Sequence, residues 1–333
     1  SISYCPRCQT AIAANEVEYD EITSPSIYVK FPLRNHEGSL VIWTTTPWTL
    51  PANTFVAVGE GVEYQAVEAV KADSTETLYI AASCVDDVLS AGRYDEYEIV
   101  ETVSGEDMVG WEYENPLESC VKELPTDSGA NQVYTADYVE VDRTGLVHSA
   151  PGHGQEDFQR GQELDLDIFV PVDETGEFTN AAGKYAGTFV RDANPTIIED
   201  LEATGALLSA DTHTHRYGHC WRCDTDIIFL ATDQWFISIT DIKEDLLDNI
   251  SESQWYPQWA RDNRFRDFVS DAPDWNVSRQ RYWGTPLPIW ENAAGERIVI
   301  GSRAELAERV DQEVDTESID LHRPSVDSLT ITE

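Results

Sequence analysis

Leu40-Val41-Ile42-Trp43-Thr44-Thr45-Thr46-Pro47-Trp48-Thr49-Leu50-Pro51-Ala52-Asn53 is an apolar run that stops in three consecutive threonines. Residues 40–43 have strand composition. The two prolines that follow fix φ around Trp48-Thr49-Leu50, which makes the hydroxyls a stiff ledge rather than a mobile loop. Such a ledge can place a water or a ribose hydroxyl. The same residues also read as a threonine-rich turn that only caps a strand.

Outward from this ledge, short β-rich runs dominate 27–141: 27–33, 40–43, 55–58, 63–67, 78–82, 98–103 and 133–139. Glycine, proline and Asx signals separate them at intervals that suit a barrel or sandwich rather than alternating parallel units. Helices are expected at 85–91, 155–164 and 194–203, a strand pair over 227–239, and an amphipathic helix over 242–250.

The chain has 333 residues, with 62 acids against 22 Lys+Arg and a net charge of -40. The carboxylates interleave with β-branched and aromatic residues along the whole length, so this is no disordered acidic tail. A halophile's protein accounts for it: at molar salt the Debye length is about 3 Å, and self-repulsion is screened. The charge argues against an RNA partner, yet at high salt counterion release drives little binding for any protein. Arg261, Arg264, Arg266, Arg279 and Arg281 gather in the last third, as an ordinary salt-bridged surface or as a face toward RNA or another domain. No run of eighteen apolar residues and no signal peptide occurs, which predicts a cytoplasmic chain with no membrane partner. The start at Ser1 and the single methionine, Met108, read as an excised fragment of two or three lobes.

Cys5-Pro6-Arg7-Cys8 and Cys220-Trp221-Arg222-Cys223 are two CxxC knuckles. Together they offer four thiolates, the number a closed structural zinc site needs, and a cytosolic chain has little use for disulfides. Their wide separation excludes a compact finger; the metal would tie two strands at the base of an inserted domain. His213, His215 and His219 stand beside the second knuckle as alternative ligands, while Cys84 and Cys120 have no CxxC partner.

A second stretch follows the ledge by about a hundred residues: Gly145-Leu146-Val147-His148-Ser149-Ala150-Pro151-Gly152-His153-Gly154-Gln155-Glu156-Asp157-Phe158. The two stretches together resemble the editing domain of the isoleucine–tRNA ligases, within the class I aminoacyl-tRNA synthetases. Relatives specific for valine and leucine carry an arginine and a glutamate where this chain has Thr46 and Trp48. The passage from Trp275 to Trp290 resembles the point where such enzymes re-enter their nucleotide-binding core.

The resemblance implies a mixed α/β, β-rich fold: a barrel-like editing domain (27–210) inserted in a zinc-knuckle stalk (1–26 and 211–240). Residues 241–333 would lead back to the catalytic core, with an acid-rich, loosely ordered tail from about Val310. It implies hydrolysis of the ester joining valine to tRNA(Ile). Asp157 would hold the α-ammonium, and Thr44, Thr45 and Thr46 the terminal adenosine and the attacking water. Trp48, Asn53, His148 and His153 would contact the substrate, with His148 lining the side-chain pocket. By itself Asp157 reads as an acid capping a helix, and His148 as a satisfied strand histidine. No lysine loop of the KMSKS type occurs, and His215-Arg216-Tyr217-Gly218-His219 spaces its histidines one residue too far apart for the HIGH element. Adenylate formation is therefore not expected here, although the full-length enzyme would use ATP and Mg2+. The implied partners are tRNA(Ile) carrying valine and the rest of the synthetase chain. A zinc-stabilised tRNA-docking module without hydrolytic activity is the alternative.

Overall fold

A computed structural model describes residues 1–72, 74–125, 128–280 and 286–332. The chain divides into two compact units, Ser1–Thr232 and Asp233–Glu333.

The first unit begins with β1 (Ile2–Cys5) and β2 (Thr10–Ala11) and continues through β3 (Val17–Pro32), β4 (Ser39–Thr44), β5 (Phe55–Val58), β6 (Glu63–Lys71) and β7 (Ser74–Ala81). Helix α1 (Val85–Gly92) leads to β8 (Glu96–Ser104), β9 (Gln132–Thr135) and β10 (Leu146–Ser149). Then come α2 (Gln155–Glu163), α3 (Asn194–Ala203), β11 (Leu207–Cys220) and β12 (Ile228–Leu230). Six strands form one sheet in the order β11-β3-β4-β7-β6-β8, and three form a second, β10-β5-β9. The fold is mixed α/β and strand-rich, as expected; among the described residues the strands make open sheets and not a closed barrel.

Burial explains which runs became strands. Leu40, Val41 and Ile42 are fully buried, and so are all four residues of β5, which therefore shows a continuous apolar run rather than alternation. One large core joins Ile27, Phe31, Leu40, Ile42, Val56, Tyr64, Leu78 and Ile80 to Leu201 and Ile197 of α3. Helix α1 ends at Arg93, whose φ of 57° is the left-handed stop common after a last helical turn.

The longest pairing has no local signature among the residues that form it. β3 and β11 pair antiparallel from Cys220↔Val17 up to Leu207↔Val29. The outer half of this ribbon carries Glu18, Asp20, Glu21 and Pro25 opposite a Thr-His-Thr-His-Arg run, so no apolar face marks it. Cross-strand polar contacts do instead: Thr23 Oγ1 and Thr214 Oγ1 are 3.0 Å apart, and His215 Nε2 and Ser24 Oγ 3.0 Å. The HIGH-like residues His215 to His219 lie within this strand. The run at 133–139 is a strand only to Thr135.

The strand pair expected over 227–239 does not form. Ile228–Leu230 pairs with β1, beside β2, in a small three-stranded sheet. In the second unit β13 (Phe236–Ile237) pairs with β14 (Trp275–Asn276). Gln234 accepts a hydrogen bond from Ser278 (2.7 Å), so a side-chain contact and not a hairpin turn arranges this segment. This unit also holds α4 (Ile239–Glu252), α5 (Arg266–Ser270), the hairpin of β15 (Ile289–Glu291) and β16 (Arg297–Val299), and α6 (Arg303–Arg309). Arg261 bonds Asp262 and the carbonyls of Ser251 and Ser253, Arg264 stacks on Trp259, and Arg279 bonds Asn276. One of these contacts, Arg261 with Asp262, is an ion pair; Arg281, with the rest of 281–285, lies outside the described residues. Thr330 returns to bond Asp311 and Gln312. Among the described residues no helix is long and apolar enough to cross a membrane.

Candidate functional site

The threonine ledge ends β4 and leads into a 3-10 turn, Pro47–Ala52, every residue of which is buried. Thr44 Oγ1 accepts from the Thr46 amide (3.0 Å), while the Thr46 carbonyl accepts from the Thr49 amide (3.0 Å) and hydroxyl (2.9 Å). The ledge is stiff because it answers its own backbone groups. β5 then pairs with β10 in the register His148↔Val56 and Ser149↔Phe55. That register carries the second stretch back onto the first.

His148 joins them. Asn53 Nδ2 donates to Phe55 O (3.0 Å) and reaches His148 Nδ1 (2.8 Å), while Asn53 Oδ1 accepts from Tyr113 (2.6 Å). Nδ1 is thus an acceptor, which puts the proton on Nε2, 2.9 Å from Thr49 Oγ1. Burial, with His153 nearby, pushes the imidazole down to about 3. His148 is therefore a neutral, buried residue with both ring nitrogens engaged, and its low value makes it a weak base. His153 is likewise buried, held down at about 4, with Nδ1 3.1 Å from the Phe229 carbonyl and its ring edge-on to Trp48 at 5.2 Å.

Asp157 lies in the first turn of α2, but its carboxylate turns back: Oδ2 accepts from the Ala150 amide at 2.9 Å. Burial pushes it up to about 6, against the pull of Ala150, Tyr138 and Ser149 donors. Tyr138 and Ser149 hydroxyls are 3.1 Å apart beside it. Asp157 has no cationic partner among the described residues. Gly154 leaves room for this arrangement: a Cβ there would stand 2.4 Å from Asp157 Oδ2. The Gly154 backbone is extended (φ -132°, ψ 140°), a conformation any residue adopts, so it is the Asp157 side chain that opposes a Cβ here, chiefly through its carboxyl group and less through its own Cβ at 3.1 Å. Gly154→Ala should accordingly swing Asp157 off Ala150 and cost about 1–3 kcal/mol of stability, whereas the same change in an Asp157→Ala background should cost little. Thermal melts of the four proteins of this cycle check it.

Thr45, Thr46 and Trp48 border a pocket of about 230 Å³ together with Ser24, Arg191 and Asn194, whose Oδ1 accepts from the Trp48 amide (2.9 Å). The walls of this pocket include neither His148 nor Asp157. Sequence reasoning missed Thr49, which was in view in the ledge, and Tyr113, Tyr138 and Arg191, whose approach depends on non-local packing.

The four knuckle cysteines converge: their Sγ atoms all lie within 4.8 Å of one another. Cys5 and Cys223 Sγ are 3.4 Å apart, and Cys8 and Cys223 3.5 Å. The residue after each knuckle, Gln9 (φ 49°) and Asp224 (φ 61°), is left-handed, so the two turns repeat one geometry. Burial pushes the Cys5 thiol up. The cluster can hold a metal ion. His219 is not in it; its Nε2 lies 3.2 Å from Asp20.

The family model for class I tRNA synthetases (I, L, M and V) matches residues 1–333. The chain belongs to that family. It is 71% identical over its full length to isoleucine–tRNA ligase of Haloquadratum walsbyi, 66% to that of Haloarcula marismortui and 62% to that of Halobacterium salinarum. In each case it spans 32% of the relative's length. Halophilic relatives accord with the acidic composition of this synthetase chain. Among solved structures, that of GlLeuRS-CP1 is similar at 15% identity and a TM-score of 0.42, over 55% of this chain and 97% of that one. The editing domain of the P. falciparum cytosolic leucyl-tRNA synthetase gives 8% identity and a TM-score of 0.33, over 43% and 67%.

Proposed function

We propose that this chain is the editing portion of an isoleucine-specific synthetase, hydrolysing the ester that links valine to tRNA(Ile). The observation that carries the reading is a desolvated carboxylate, Asp157, with neutral donors and no cation among the described residues, bonded to the amide of Ala150 two positions after His148, which itself contacts Thr49 and Asn53. A buried carboxylate gains most from a charged partner, and an α-ammonium is one.

One methylene is worth only about 1–3 kcal/mol in an apolar pocket, a limit for which the isoleucine–valine pair is the standing example. A second, smaller pocket resolves what the first cannot. In this reading Thr44, Thr45 and Thr46 hold the terminal ribose and the water, and Trp48, Asn53 and His153 support them. His148 supplies the wall that stops the longer side chain. Neither histidine is a strong base, since burial holds the two imidazoles down at about 3 and about 4. Hydrolysis then rests on positioning an oriented water against an activated ester, with the neighbouring ribose hydroxyl assisting.

The four thiolates fit zinc, whose bonds to sulfur are about 2.3 Å and place tetrahedral sulfurs about 3.8 Å apart. With no open position such an ion is structural, and Cys5, Cys8, Cys220 and Cys223 would hold it. The proposed partners are tRNA(Ile) charged with valine and the remaining two-thirds of the synthetase; ATP and Mg2+ belong to that remainder.

Incubating the chain with valyl-tRNA(Ile) in molar KCl and following free valine tests the reading. Release above the spontaneous rate is expected, while tRNA binding without release would reduce the chain to a docking module. His148→Ala should open the pocket and raise cleavage of isoleucyl-tRNA(Ile) about tenfold or more, on the scale of one methylene's discrimination. Unchanged selectivity in that assay would return His148 to a purely structural role.

A further inference from the structure

The pocket beside the threonine ledge departs from the acidic composition of the chain. In a chain of 62 acids and 22 cations it has no carboxylate among its described lining residues and one charged group, the Arg191 guanidinium. Arg191 is held from two sides: Nη1 pairs with Asp226 at 2.6 Å, and the guanidinium plane lies over the Tyr217 ring at 4.4 Å. Its Nε–H is buried and meets no acceptor. A cation fixed by stacking and one ion pair, with about a quarter of its side chain exposed, is a preorganised anion receptor that acts through its charge and its remaining accessible N–H groups.

We propose that Arg191 receives a backbone phosphodiester of the tRNA 3′ end while the ribose rests at Thr45 and Thr46, an assignment that builds on the hydrolytic reading above. The two threonines and Arg191 border the same pocket, and a ribose seated on the hydroxyls carries its phosphodiester on the 5′ side. No carboxylate stands among the described lining residues, and the one nearest to Arg191, Asp226, is offset by its ion pair, so a polyanion meets less repulsion here than over an open acidic surface. Arg191 acts as a binding and positioning residue and touches no reacting atom. Its contribution is affinity and register for the nucleic acid, and it holds at high salt because the pocket shields the contact from counterions better than an open surface does.

The test compares two substrates in molar KCl: valyl-tRNA(Ile), and 3′-O-valyl-adenosine, which has the ester but no phosphate. R191Q should lower the ratio of kcat/KM for tRNA to that for valyl-adenosine about tenfold, through KM, as expected for a lost charge-assisted contact. R191K should recover part of it, since it restores the charge without the planar guanidinium. D226N removes the ion pair that helps to fix the guanidinium but keeps its charge, so it should lower the ratio by less than R191Q does. An unchanged ratio in R191Q, or an equal fall in D226N, would overturn the assignment. If the wild-type chain cleaves neither substrate, the hydrolytic reading fails separately. Arg191 is then judged by affinity for uncharged tRNA(Ile), which R191Q should weaken about tenfold and whose indifference would reject the proposal.

Discussion

Asp157→Ala should abolish release of valine from valyl-tRNA(Ile), with a loss of about a hundredfold or more in kcat/KM while the fold survives. The magnitude follows from truncating one partner of a desolvated charge pair, which costs about 2–5 kcal/mol. Survival of the fold follows from the carboxylate's own position: burial holds it up at about 6, so the folded protein tolerates the charge rather than depending on it. The pH dependence separates the two effects. The ammonium needs the ionised acid, so release should fall about tenfold per pH unit below 6. A raised carboxyl works against folding above its unfolded value near 4, so protonating Asp157 makes the protein no less stable. His148 and His153 act oppositely: their depressed values stabilise the fold fully above pH 6.5, and that contribution declines as the pH falls toward 4 and 3. Activity should therefore disappear before the melting temperature collapses. Deacylation rates and melts measured together from pH 8 to 5 check this, and near-normal turnover by the alanine variant would remove Asp157 from the site.

Breaking the thiolate cluster should have the largest effect on stability. Cys5→Ser or Cys220→Ser, or a strong chelator applied to the native chain, should lower the melting temperature of the first unit by about 10 °C or more. The side chains of Cys5 and Cys220 are buried, so a hydroxyl in their place loses the metal and leaves an unanswered polar group as well. Zinc content by elemental analysis should fall from one equivalent to none in step with the melt. A full melting temperature without bound metal would show that the small sheet holds itself. Hydrolysis by any protein still folded should be unaffected, because four thiolates leave no coordination position for a water.

The parts of this architecture that were legible in the sequence are those governed by local pattern. Phe55–Val58 and Asn194–Ala203 were read to the residue, since one is an unbroken apolar run between polar breaks and the other has helical spacing after a proline. The knuckles were legible because thiolate spacing is a chemical constraint rather than a propensity. The β3–β11 ribbon was not legible: its outer half is solvated on both faces, so pairing leaves no hydrophobic period to read. The same limit applies at the candidate site. Thr44, Thr45, Thr46, His148 and Asp157 come from stretches whose composition is unusual, and the structure brings those stretches together through Thr49, Asn53 and Ser149. Arg191 and Tyr113 come from unremarkable stretches, and only the packing of distant segments places them beside the ledge and Asn53.

The pairing of Val17 with Cys220 closes the chain of the lobe at a neck about one strand spacing wide, roughly 4.8 Å, while Arg191–Asp226 and His153–Phe229 contacts tie the lobe to its base beside that neck. Cys8 and Cys223, 215 positions apart, face each other at its foot. Since each doubling of enclosed chain adds only about 0.6 kcal/mol to the entropy of closure, extra loops could accumulate anywhere in the lobe with little strain on the neck. Length variation among synthetases of this kind should therefore fall above the ribbon, and the neck itself should keep its register.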